Sequence, residues 1–190
     1  MNAIADRLSA VRSRMAEMGC DAFIVPRADE YLGEYIPAHN ERLLWMSGFT
    51  GSAGAVVVML DRAAIFVDGR YTVQVRNEVD LELFEYHHLI DEPYAQWVTD
   101  ELNSGARVLC DPRMHSLSWY QATKATLEKA GLELITDTDN LIDHCWSDRP
   151  AAKVSPALLL TEDFTGSSCV QKRQSIAADM TAKCADAALI

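Results

Sequence analysis

Arg70 is the side chain in this sequence best placed to grip a ligand, because it follows a tight Asp68-Gly69 step after the apolar run Ala64-Ile65-Phe66-Val67. Open α/β sheets collect ligands outside the C-terminal ends of their strands, and a planar guanidinium can hold a carboxylate or a peptide carbonyl with two bonds. The same spacing also allows a purely local ion pair between Arg70 and Asp68. Upstream, Gly48-Phe49-Thr50-Gly51-Ser52-Ala53-Gly54 has the glycine content of a phosphate cradle. It precedes a strand instead of joining a strand to a helix, and no Gly-Lys-Ser/Thr follows. Ser52 is not a nucleophile elbow, because Thr50 holds the position where that turn needs glycine. Glycines required by tight turns are the better account.

Other chemistry-bearing residues form no recognisable centre. His39, His87, His88, His115 and His144 include no pair spaced to put two imidazoles on one helical face for a metal. His87 and His88 are adjacent on an expected strand and should face opposite ways. Asp137-Thr138-Asp139-Asn140 begins like a calcium loop, but Ile142 replaces the turn glycine and Asp148 the bidentate glutamate. Asp29, Glu30 and Glu34 gather near Arg27, where an acid pair competes with a solvated charged loop. Trp45, Trp97, Trp119 and Trp146 lie in helical patterns and read as core or interface residues.

The elements that must position these groups alternate between helix and strand. Ile4, Leu8, Val11, Met15 and Met18 form one apolar helical stripe stopped by Gly19. A strand is expected over 21–25, ended by Pro26, then a loop over 27–40 and a short helix over 41–46. Two apolar strands, 55–60 and 64–67, form a hairpin around Asp61-Arg62, with the glycine loop and the Asp-Gly-Arg-Tyr turn at its open end. Helical character over 71–79 is weakened by Val73, Val75 and Val79. Strands are then expected over 83–89, 107–110 and 132–136, and helices over 93–102, 116–130 and 140–146, the last capped by Asn140. This predicts an α/β fold, a mixed sheet flanked by helices, over residues 1–146.

A chain of 190 residues, 49% hydrophobic, can bury a full core with part of another domain. The net charge of −11 repels phosphate backbones and anionic membranes, so neither nucleic acid nor a membrane surface is expected as a partner. Met1 to Arg7 is charged too early for a signal sequence, which favours a cytoplasmic location. The five cysteines never fall in a Cys-x-x-Cys spacing and read as reduced thiols. Residues 147–168 are polar and proline-marked, as in a linker. After it the opening pattern recurs at an offset of 165: Ile176 falls on Val11, Met180 on Met15, Asp186-Ala187 on Asp21-Ala22, and Leu189-Ile190 on Ile24-Val25, though Arg173 on Leu8 breaks the stripe. Ser168 and Gln171 have capping-box spacing. Residues 169–190 are thus expected to begin a second, related α/β domain, and the chain to be a fragment of a longer one.

Taken in order, several segments resemble the N-terminal domain of the Xaa-Pro aminopeptidases, the aminopeptidase P branch of the creatinase-like metallopeptidases. They are Arg7-Leu8, Gly19-Cys20-Asp21-Ala22, Pro26-Arg27-Ala28-Asp29-Glu30, Gly33-Glu34-Tyr35, Glu41-Arg42, Gly48 to Gly54, Asp68-Gly69-Arg70-Tyr71, Asp111-Pro112 and Trp146-Ser147-Asp148-Arg149-Pro150. Tyr31 departs from the pattern, since histidine often follows Asp-Glu there, which argues against a histidine contact from that loop. The resemblance implies a ribonuclease H-like topology, a related second domain, and a pita-bread catalytic domain beyond Ile190 holding two divalent metal ions, manganese or zinc. The fragment should then bind no catalytic metal and cleave nothing itself. It would help form a homodimer, restrict the active-site entrance to peptides with proline second, and touch the bound peptide through Arg70. A stand-alone peptide-binding or regulatory module and the N-domain of a creatinase-type amidinohydrolase are the alternatives.

Overall fold

The computed structural model describes residues 3–189. Met1, Asn2 and Ile190 lie outside the described residues, and with them part of the segment judged not to be a signal sequence and the last position of the 165-residue repeat. The chain divides into two compact units, one reaching Ala152 and the other starting at Lys153.

The first unit is built on a six-stranded mixed sheet: β1 (Ala22–Pro26), β2 (Gly54–Met59), β3 (Ala63–Val67), β4 (Glu85–His88), β5 (Arg107–Cys110) and β6 (Glu133–Thr136), in the order β4-β3-β2-β1-β5-β6. β2 pairs antiparallel with both β1 and β3, whereas β4, β5 and β6 join parallel to their neighbours. The expected fold class is therefore observed. The two central apolar runs form strands buried on both faces, since successive side chains point to opposite sides. Val56 and Val58 enter one half of the core, Val57 and Met59 the other.

Helices cover both faces. On the first, α1 (Ala3–Met18), α2 (Arg42–Ser47), α3 (Gln74–Glu78) and α6 (Leu141–Cys145) contribute Leu8, Val11, Met15, Leu43, Met46, Val75, Leu141 and Ile142. On the second, α4 (Tyr94–Glu101) and α5 (Leu117–Lys129) contribute Trp97, Val98 and Leu127. Full burial of each large side chain contributes about 1.5–3 kcal/mol. Two expected elements are shorter than the sequence pattern suggested. The strand expected from Leu83 starts at Glu85, because the Leu83 and Phe84 amides both donate to the Asp80 carbonyl and close a turn. The helix expected from Tyr71 starts at Gln74, consistent with the poor helical preference of its β-branched residues.

Because β2 alone runs against the rest, the ends of β1, β3, β4, β5 and β6 share one sheet edge with the start of β2. That edge carries the loops over 27–41, 48–53, 68–73, 111–115 and 137–140.

In the second unit, α7 (Glu162–Thr165) falls within the stretch read as a linker, and α8 (Cys169–Ala182) begins with Ser168 and Gln171 forming the expected capping box. The end of α8 repeats the end of α1 at the 165-residue offset. Ala185 N–H donates to the Met180 carbonyl as Cys20 N–H does to Met15, and Cys184 has φ +50° where Gly19 has +64°.

Candidate functional site

The hairpin brings the glycine loop and the Asp68–Tyr71 turn together, since Gly54 pairs with Val67. Gly48 ends α2 in the left-handed conformation at φ +82°. A Cβ on Gly51 would lie 2.2 Å from the ring of Phe49, a buried side chain set edge-on to Tyr71 with centroids 5.6 Å apart. The glycines let the loop fold closely over that ring. The Ser52 hydroxyl is hydrogen-bonded to the Tyr71 phenol at 2.7 Å, not to an imidazole, and this bond lowers the Tyr71 pKa. Beside it, Glu78 accepts from Thr50 N–H and from the Thr50 and Gln74 side chains; these bonds outweigh burial and lower its pKa.

Arg70 projects from this floor with its side chain 65% exposed. The Asp68 carboxylate accepts the Arg70 backbone N–H at 3.0 Å, Nε at 3.1 Å and Nη2 at 2.7 Å. The local ion pair anticipated as a rival account is thus present. It engages one edge of the guanidinium and leaves Nη1 with no hydrogen-bond partner among the described residues. Bonding from Arg70 lowers the Asp68 pKa, while bonding to Asp68, with smaller contributions that include Glu34, raises that of Arg70.

The long first loop stands beside this turn and is ordered by its own polar groups. Buried Asp29 accepts from the amides of Tyr31 and Gly33 in an Asx turn. Glu30 accepts from Asn40, and among the described residues no hydrogen bond joins Asp29, Glu30 and Glu34 to one another. Arg27 ties the loop to the hairpin by donating to the Glu34 and Ser52 carbonyls. Tyr31 and Tyr35 are left exposed at its tip.

Two further arginine–aspartate pairs on the first unit escaped sequence reasoning. Asp111 accepts the Arg113 backbone N–H at 3.1 Å, Nε at 3.0 Å and Nη2 at 2.7 Å, the arrangement seen at Asp68 and Arg70. The shared Asp-x-Arg spacing was the available signal. Asp111 also accepts from Asn140, and Arg113 donates to the Thr138 carbonyl. Burial would raise the Asp111 pKa, but the Arg113 and Asn140 bonds outweigh it and hold it down. Arg42 forms a bidentate pair with Asp143 at 2.7 and 2.8 Å, and Arg149 joins it through Asp143 and the His39 carbonyl.

The histidines remain separate: His87 meets Glu92, His88 meets Asp91, His144 meets Asp139, and His115 stacks on Trp119 at 3.5 Å. Asn140 caps α6, as expected, instead of joining a calcium loop. Among the described residues no group of three or more His, Cys, Asp or Glu is arranged to hold a metal ion. The residues present therefore do not fit a dinuclear centre. Trp45 and Trp97 are buried in the core, and Trp146 stacks on Trp45.

The fold and site define an α/β module that presents a charged turn at the sheet edge where the ends of β1, β3, β4, β5 and β6 lie together. The chain belongs to the creatinase/prolidase N-terminal domain family, whose model matches residues 7–145. It is 34% identical over 174 residues to Xaa-Pro aminopeptidase 2 of Homo sapiens, covering 91% of this chain and 26% of that protein. It is 35% identical to a probable Xaa-Pro aminopeptidase P of Neurospora crassa, covering 97% of this chain and 28% of the relative. Among solved structures, the X-prolyl aminopeptidase of Caenorhabditis elegans, described as a cytosolic enzyme with a di-nuclear active site, superposes with a TM-score of 0.80 at 26% identity. That match covers 95% of this chain and 31% of the other. The chain thus spans about a quarter to a third of the relatives' length.

Proposed function

We propose that this chain is the substrate-restricting and assembly domain of a metal-dependent Xaa-Pro aminopeptidase, which removes an N-terminal residue preceding proline. The observation that carries this reading is the match of almost the whole chain to the first part of much longer Xaa-Pro aminopeptidases, at over 30% identity. The two divalent metal ions, manganese or zinc, belong to a separate catalytic domain, a reading supported by the di-nuclear active site described for the much longer Caenorhabditis elegans enzyme. The repeated helix end at Met180 to Ala185 supports residues 169–190 as the start of a second, related domain after a linker over 147–168. Arg70 reaches the bound peptide, a reading supported by its exposed side chain, whose Nη1 has no hydrogen-bond partner among the described residues. Homodimer formation and a cytoplasmic location complete the proposal. The test is expression of the gene's full-length product and an assay for release of the first residue from Xaa-Pro peptides with added manganese. Turnover is expected from the full-length protein and none from the 190-residue chain alone. Metal-dependent turnover by that chain alone would overturn the division of labour.

A further inference from the structure

Arg70 is not a bare cation. Asp68, its side chain only 17% exposed, occupies the Nε and Nη2 side of the guanidinium with three contacts of 2.7–3.1 Å. What remains is the outward pair of N–H groups on Nη1 and Nη2, a fork that can meet either one neutral oxygen or a carboxylate. Geometry does not separate these two ligands. Charge does.

The Arg70–Asp68 pair is already neutral, and Glu34 is close enough to act on Arg70 electrostatically. A second carboxylate on the free fork would face Asp68 across one guanidinium and share a single positive charge with it. A backbone carbonyl accepts the same hydrogen bonds without that repulsion. The Arg70 backbone N–H also holds the Asp68 carboxylate, at 3.0 Å, so moving it aside would cost that hydrogen bond as well as the ion pair.

We propose that Asp68 is a specificity-determining residue: it converts Arg70 from an anchor for a terminal carboxylate into an acceptor site for a backbone carbonyl of a peptide that continues past it. This rests on the reading that Arg70 touches the peptide. It assigns the site to neutral carbonyls, and hence to peptides whose C-terminus lies elsewhere.

The experiment uses the full-length protein and Xaa-Pro peptides of two to five residues, each with a free or an amidated C-terminus. Arg70→Ala locates the contact, as the peptide length at which kcat/KM falls most. At the length that places the terminus on Arg70, the unsubstituted protein should prefer the amide over the acid. Asp68→Asn keeps the oxygen that caps the Arg70 amide and removes the charge. It should shift the amide-to-acid ratio of kcat/KM by about fivefold toward the acid, less at high salt. If Arg70→Ala changes nothing at any length, the reading that Arg70 touches peptide fails. If Arg70→Ala impairs cleavage but Asp68→Asn leaves the ratio unchanged, that reading stands and the role of Asp68 is overturned. Circular dichroism of the variants shows whether each is folded before kinetics are compared.

Discussion

The ends of β3 and β5 carry the same local device, an aspartate whose carboxylate holds the backbone N–H and guanidinium of the arginine two residues on, yet the two are embedded differently. Asp111 is 2% exposed and shared with Asn140, and Arg113 reaches on to the Thr138 carbonyl. That hook ties the end of β5 to the loop before α6. At β3 the carboxylate bonds go to Arg70 alone, and the guanidinium, its side chain 65% exposed, lies over the Tyr71 ring at 5.1 Å from the centroid. Identical short-range chemistry therefore becomes a fastening where neighbours complete it and leaves part of the guanidinium exposed where they do not.

Breaking the fastening should have the largest effect. Asp111→Ala removes a buried charge that serves both Arg113 and Asn140, and should destabilise the domain by about 3–5 kcal/mol in denaturant unfolding. A loss under 1 kcal/mol would mean that the two hooks are energetically alike.

A second difference lies in acid sensitivity. Burial pushes the His115 imidazole down to about 4, against an ordinary value of 6.5. Its folded form thus resists a proton that the unfolded chain accepts. Stability is lost as pH falls from about 6.5 to 4, by up to about 3 kcal/mol. His115→Phe, which keeps a ring against Trp119, should remove this part of the pH dependence. Parallel stability curves for the two proteins between these pH values would contradict it. Below that window Asp111 acts: its depressed pKa means its stabilising contribution is present above the ordinary carboxylate range and disappears as pH falls through the folded value.

Smaller still is Arg113→Ala, which leaves Asp111 its bond from Asn140 and should lower the thermal midpoint by about 2–4 °C. Scanning calorimetry of this variant beside Arg70→Ala sharpens the contrast, since the latter should leave the midpoint unchanged.

How much of this was legible in the sequence follows the range of each interaction. The stripe Leu8, Val11 and Met15 predicted α1, and the paired apolar runs predicted the β2–β3 hairpin, because helical and strand periodicities are local. The Asp68–Arg70 pair was visible for the same reason, as was the Ser168 capping box. The repeat of the hook at Asp111 has the same Asp-x-Arg spacing, but spacing does not report burial or the Asn140 and Thr138 partners that set it apart. Arg42 and Asp143 lie 101 residues apart, and no local pattern encodes their meeting. The late start of β4 was hidden because the turn at Asp80 is made by backbone bonds, which side-chain periodicity does not report.

The most direct test of Arg70 as the group that reaches the peptide is a side-by-side kinetic comparison of Arg70→Ala and Arg113→Ala in the full-length protein on Xaa-Pro peptides. Loss of a charge-assisted hydrogen bond at Arg70 should lower kcat/KM by about 10- to 100-fold with an unchanged thermal midpoint, while Arg113→Ala should lower the midpoint and leave kcat/KM nearly as it was. Equal kcat/KM for Arg70→Ala and the unsubstituted protein across all peptide lengths would contradict the account.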